Sequence, residues 1–176
     1  MRLTEKTLKS KNVYPGKVCN LFVDEIELPD GKTSFREYIK HSGGAAILLI
    51  NEGKVLLVKQ FRYAYGKEIF EIPAGKLEIG EDPMQAAIRE LKEETGYVAT
   101  KVKKLCTAYP TPGYTNEILH VYFAEEFRKG EQKLDNGEFL NVVYLDINEV
   151  LCLIEQGKIC DAKTIIAILK YLNSIK

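Results

Sequence analysis

Polar and apolar residues alternate along VCNLFVDEIELPDGKTSFREYIKH, residues 18–41. A period of two is the mark of strands with one face buried. The pair Asp30-Gly31 in the middle favours the tight turn of a hairpin. GGAAILLI (43–50) and KVLLVKQFR (54–62) read as a second strand pair joined by Asn51-Glu52-Gly53. EIFEIP (68–73) reads as a short strand. The period changes at residues 82–96 to that of a helix. Asp82 is placed to cap this helix, Pro83 suits its first position, and Gly96 suits its stop. Strands follow near 98–107, 117–127 and 139–145, the first two separated by the loop YPTPGYTN (109–116). Two helices close the chain. Asp146 and Glu149 start the first and Gly157 ends it, and Asp161 caps the second. Strands, one helix, more strands and two helices make an α/β layered domain.

Composition narrows the class. A chain of 176 residues supports one filled core. The formal net charge is zero, so nothing in the overall charge points to a nucleic-acid or membrane surface. Lys101, Lys103 and Lys104 read as a solvated strand edge. No leader or long apolar run stands out, so a cytoplasmic location is expected. Cys19, Cys106, Cys152 and Cys160 are scattered without a CxxC pair, and reduced, mostly buried thiols are expected. His41 and His120 lack ligand spacing, which argues against zinc.

The chemistry concentrates in GKLEIGEDPMQAAIRELKEETGY, residues 75–97. A helix turns roughly 100° per residue, so Glu90, Glu93 and Glu94 share one arc, while Met84, Ala87, Ile88 and Leu91 take another. Carboxylates three and four residues apart repel each other. Such a cluster calls for a counter-charge, and its hard oxygens suit Mg²⁺ or Mn²⁺ acting with substrate phosphates. Gly75, Glu81, Arg89, Glu90, Leu91, Glu93, Glu94 and Gly96 stand in the register G-x5-E-x7-R-E-u-x-E-E-x-G-u, where u is a bulky apolar residue. Only Tyr97, at the last position, departs from the more frequent aliphatic residue.

This segment resembles the Nudix box, and the chain resembles the Nudix hydrolases. The resemblance extends to the ADP-ribose pyrophosphatase group through FREYIKHSGGAAILL, VKQFRYAYGKEIFEIPAGKLE, YPTPGYTNE and GKICDAKTIIAIL. Pro112, sixteen residues after Gly96, is a further mark of that group. The resemblance implies a Nudix fold, with a mixed β-sheet sandwiched between helices and an N-terminal antiparallel β-hairpin or sheet. It implies an N-terminal β segment over 1–40 that serves dimerisation and a hydrolase domain over 41–176. Related enzymes are homodimers that exchange the N-terminal segment, which would bring Arg36 to the partner's site.

Residue roles follow from the same resemblance. Glu90, Glu94 and the Ala74 carbonyl would bind the metal, two or three Mg²⁺ or possibly Mn²⁺ ions per site. Arg62 and Arg36 would grip the diphosphate, Glu71 would contact substrate or metal, and Pro112 would shape the substrate loop with Tyr109 and Tyr114. Gly75, Glu81, Arg89 and Gly96 would orient the box. The general base is open among Glu93, Glu138 and Asp135, because a shift of two residues in GEQKLDNGEFLNVV would place Asn136 at the base position. The expected activity is metal-dependent hydrolysis of ADP-ribose to AMP and ribose 5-phosphate. The alternatives are another nucleotide sugar or dinucleotide, such as GDP-mannose, and a non-catalytic ADP-ribose sensor.

Overall fold

The computed structural model describes residues 3–174. The chain forms two compact units, each taken here by itself. One holds the residues up to Gly43 with Thr111–Glu117, and the other holds Gly44–Pro110 with the chain from Ile118 onward.

The first unit is a three-stranded antiparallel sheet of β1 (Lys6–Pro15), β2 (Asn20–Glu27) and β3 (Thr33–Lys40), in that order. The expected hairpin is β2–β3, closed where Leu28 N–H bonds Lys32 O and Gly31 N–H bonds Leu28 O. Gly31 has φ +83°, which a residue with a side chain rarely adopts. β1 is exposed along its whole length, and it includes Leu8, Val13 and Tyr14. The segment Thr111–Glu117 joins this sheet where Ile39 N–H bonds Tyr114 O.

The second unit is built on a mixed sheet. Its strands are β4 (Gly44–Asn51), β5 (Lys54–Arg62), β6 (Lys67–Glu71), β7 (Ala74–Lys76), β8 (Tyr97–Ala108), β9 (Leu119–Lys129) and β10 (Leu140–Asp146). Its helices are α1 (Pro83–Thr95), α2 (Ile147–Glu155) and α3 (Ala162–Ser174). The path runs β10-β5-β4-β9-β8, with β6 paired to β5 and β7 to β4. β4 and β9 run parallel and the other pairs antiparallel. β4 is apolar on both faces because both are covered. Ala45, Ile47 and Leu49 pack with Ala86, Ala87 and Leu91 of α1. Ala46 and Leu48 pack with Val150 of α2 and with Ala167 and Ile168 of α3.

Two short elements join those expected, and one expectation changes. Residues 74–76 form a short strand, because β4 pairs with them at Gly44↔Lys76, Ala45↔Gly75 and Ala46↔Ala74. Tyr63–Tyr65 form a single helical turn after β5. The thiols are not mostly buried: Cys19, Cys152 and Cys160 are exposed, and Cys106 is half-buried. The interior is filled instead by branched aliphatic residues of β4 and β5. Among the described residues no helix is long and apolar enough to cross a membrane.

Candidate active site

The site forms where β7, α1 and the turn before β10 meet. Asp82 caps α1 through bonds from Met84 N–H at 3.0 Å and Gln85 N–H at 3.1 Å, and Pro83 occupies the first turn. At the other end Gly96, with φ +77°, turns back to bond Lys92 O. One stripe of α1 is buried through Ala86, Ala87 and Leu91. Glu90, Glu93 and Glu94 therefore emerge together toward β7 and the segment 130–138.

Arg89 organises the acidic face. Its Nε and Nη2 lie 2.8 and 3.0 Å from the two oxygens of Glu81, and its Nη1 lies 2.7 Å from Glu90 and 2.9 Å from Glu93. The Glu81 bonds, reinforced by Glu90 and Glu93, hold the guanidinium charged far above any working pH. Glu81 in turn accepts from Glu78 N–H at 2.9 Å and so closes the loop ahead of the helix. Its pKa is lowered, chiefly by the Arg89 bond. Gly75 is glycine because Glu90 crosses it: a Cβ there would lie 1.9 Å from Glu90 Oε1.

Glu94 is the anomaly. It is 2 % exposed, and among the described residues its carboxylate accepts one bond, from Ala74 N–H at 3.2 Å. Burial pushes its pKa up to about 8, and the nearby charges of Glu138 and Glu90 add to the shift. Glu90 is also raised by burial, with Arg89 opposing and with Glu93 and Glu138 reinforcing. Carboxylates gathered without a full complement of cations fit a divalent metal. Among the described residues no group of three or more His, Cys, Asp or Glu side chains is placed to hold a metal ion by itself. An open set of one or two carboxylates suits Mg²⁺, which keeps water and substrate oxygens as its remaining ligands.

The segment that carries Glu138 is tied to the end of α1. Gln132 Nε2 donates to Glu94 O at 2.5 Å, Lys133 N–H to Glu93 O at 3.0 Å, and Gly130 N–H to Gly96 O at 2.6 Å. Carbonyls that a helix end leaves without partners are thereby satisfied. Glu138 then sits in a turn in which its N–H bonds Asp135 O at 3.1 Å. Its charge is felt at both Glu90 and Glu94, whereas Asp135 and Asn136 are exposed.

Arg62 sits at the end of β5, with Nε 2.6 Å and Nη2 2.8 Å from the two oxygens of Glu71. That bond raises the Arg62 pKa. Glu71, expected to contact substrate or metal, is 1 % exposed and has both oxygens engaged by protein cations, Arg62 and Lys163. Burial opposes its ionisation, but the Arg62 bond and the Lys163 charge outweigh it and hold its pKa below the ordinary value. Lys163, Asp161, Thr164 and Gln132 were not expected from the sequence. Their signals were the Asp161 capping position and the resembling segment GKICDAKTIIAIL, and neither pointed to Glu71, 92 residues from Lys163.

Of the expected residues, Arg62, Glu71, Ala74, Gly75, Glu81, Arg89, Glu90, Glu93, Glu94, Gly96 and Glu138 lie in the second unit. Arg36 and Pro112 belong to the first. There Arg36 bonds Glu5 through Nε at 3.0 Å and through Nη2, and Pro112 is exposed.

Comparison with known proteins agrees with this geometry. Residues 40–167 match the NUDIX domain. The chain belongs to the Nudix family of hydrolases. Residues 5–39 match the nucleoside diphosphate sugar hydrolase N-terminal domain, which narrows the class within the family. The chain is 47 % identical to an ADP-ribose pyrophosphatase of Bacillus subtilis (strain 168), covering 97 % of this chain and 94 % of that one. It is 44 % identical to a methanol dehydrogenase activator of Bacillus methanolicus, with coverages of 96 % and 92 %. A solved structure described as an ADP compounds hydrolase superposes with a TM-score of 0.87 over 99 % of this chain and 96 % of the other. At 19 % identity that likeness concerns the fold.

Proposed function

We propose that the protein is a divalent-metal-dependent hydrolase that splits the diphosphate of ADP-ribose into AMP and ribose 5-phosphate. The observation that carries this reading is the buried Glu94 carboxyl. It lies beside Glu90 and within the field of Glu138, and among the described residues no side-chain cation pairs with it. The full-length similarity to an ADP-ribose pyrophosphatase supports the choice of substrate.

Glu90, Glu94 and the Ala74 carbonyl would hold the metal, with Mg²⁺ or Mn²⁺ as the ion and two or three per site. When bound, the metal supplies charge neutralisation for the diphosphate and a more acidic water. Arg62 binds phosphate oxygens through the edge of its guanidinium turned away from Glu71, a task for a group that stays charged and bonds in a planar fork. Glu138 takes the proton from the attacking water as the new P–O bond forms and the bridging P–O bond breaks. Its field at Glu90 and Glu94 favours it over Asp135. Glu93, bonded to Arg89, holds the acidic face in order and is the second candidate base. The N-terminal sheet would serve dimerisation, with Arg36 reaching the diphosphate in a partner's site and Pro112 shaping the substrate loop. Light scattering tests this directly, and a monomeric mass would overturn it.

The test of function is a panel of ADP-ribose, GDP-mannose, NADH and diadenosine polyphosphates with Mg²⁺, scored for products, with Glu94→Gln alongside. AMP released chiefly from ADP-ribose by the wild type alone supports the proposal. Preference for another member replaces the substrate, and tight ADP-ribose binding without turnover moves the protein to a sensor role.

A further inference from the structure

On the diphosphatase reading proposed above, we infer that Lys163 is a positioning residue for substrate binding: with Glu71 it fixes the guanidinium of Arg62 so that its free edge faces the diphosphate.

Arg62 uses one edge on protein. Nε and one N–H of Nη2 bond the two Glu71 oxygens. Nη1 takes no part in that pairing, and the side chain is 43 % exposed. A guanidinium has five N–H donors in a rigid plane, so locking two of them sets the direction of the other three. The lock holds only as well as Glu71 is held. Lys163 Nζ bonds Glu71 Oε2 and, at 2.9 Å, Asp161 Oδ1. The Lys163 and Asp161 side chains are only 13 % and 14 % exposed.

The first turn of α3 fastens the same stretch of chain a second time. Asp161 Oδ2 accepts from Thr164 N–H at 3.0 Å and from Thr164 Oγ1 at 2.6 Å, and Thr164 Oγ1 accepts from Ile72 N–H at 2.8 Å. One helix start thus holds the Glu71 carboxylate and the next backbone N–H, two residues before Ala74. The cluster Arg62, Glu71, Lys163 and Asp161 balances its charges. Removing the ammonium leaves a buried carboxylate with Arg62 as its one direct cation among the described residues. Glu71 is then held less firmly, so the guanidinium paired with it turns more freely and its remaining donors lose their direction toward substrate.

The test is a double-mutant cycle of Lys163→Met and Arg62→Ala, read as KM and kcat for ADP-ribose. A second readout is solvent exchange of the Arg62 Nε–H measured by nitrogen-edited NMR. Lys163→Met is expected to raise KM about tenfold while kcat stays within about threefold, and to speed Nε–H exchange. In the Arg62→Ala background the same substitution should leave KM where it is, because its effect passes through Arg62. An unchanged KM in the single variant overturns the inference, as does an equal rise in both backgrounds. If Lys163→Met does not fold, Lys163→Gln takes its place with the same two outcomes. A wild type inactive toward ADP-ribose would sink the functional reading alone. Faster Arg62 Nε–H exchange in the Lys163 variant would still support the positioning role, and unchanged exchange would overturn it.

Discussion

Glu90 lies across Gly75 so closely that any side chain at 75 would occupy the space of its carboxylate, 1.9 Å from Oε1. The strand pairing of β7 with β4 holds Gly75 still, so the flexible glutamate is what must move. Gly75→Ala should therefore fold with a melting temperature near that of the wild type. Its metal affinity and turnover should fall by about 10- to 100-fold, the usual scale when the support of a ligand is disturbed. Calorimetric Mg²⁺ titration and steady-state kinetics check both, and unchanged affinity would refute this account of the box glycine.

Glu94→Gln should abolish turnover and yet stabilise the metal-free protein at neutral and alkaline pH. The native carboxyl has a pKa of about 8 against 4.5 ordinarily, so between those values the native state retains a proton that the unfolded chain releases. Stability then falls as pH rises through this window. The Gln variant lacks that contribution, so its advantage should grow from pH 5 toward pH 8. Thermal melts in EDTA across this range decide the matter, and parallel curves for the two proteins would be the adverse result.

The same carboxyl predicts proton release on metal binding. At pH 7 the Glu94 carboxyl, with its pKa near 8, is mostly protonated without metal, and a cation requires it ionised. Mg²⁺ titrations in buffers of different ionisation enthalpy should report release of about one proton per site. Release should shrink above pH 9 and vanish in Glu94→Gln.

Arg89→Ala removes the cation shared by Glu81, Glu90 and Glu93. Unfolding free energy should fall by about 1–3 kcal/mol, in the range for losing charged hydrogen bonds. The loss should be smaller with saturating Mg²⁺, which replaces part of the missing charge. Denaturant unfolding with and without the ion measures this.

Thr164→Val keeps the shape of a fully buried residue and deletes the acceptor for Ile72 N–H. A buried N–H without a partner costs about 1–3 kcal/mol. Equilibrium unfolding should show that loss, and a Val variant as stable as the wild type would mean that the chain at 71–73 relaxes to find another partner.

Local signals made much of this molecule legible in advance. Period-two alternation marks β2 and β3, Asp30-Gly31 marks a hairpin, and Asp82, Pro83 and Gly96 mark both ends of α1. These features act through neighbours in the chain, so residue order alone specifies them. The box register also placed Glu90, Glu93 and Glu94 on one helix face, since helical spacing converts sequence separation into direction. Tertiary structure alone decided how those charges are balanced. Glu71 reads as a substrate or metal contact, and the fold buries it under Arg62 and under a lysine 92 residues away. Glu94 looked like its box neighbours, yet Arg89 bonds Glu81, Glu90 and Glu93, and among the described residues the Glu94 carboxyl is left to a single backbone N–H. Burial and long-range pairing depend on which distant segments fold over a residue. Those set the ionisation of a carboxylate and the aim of a guanidinium, and no local pattern encodes them.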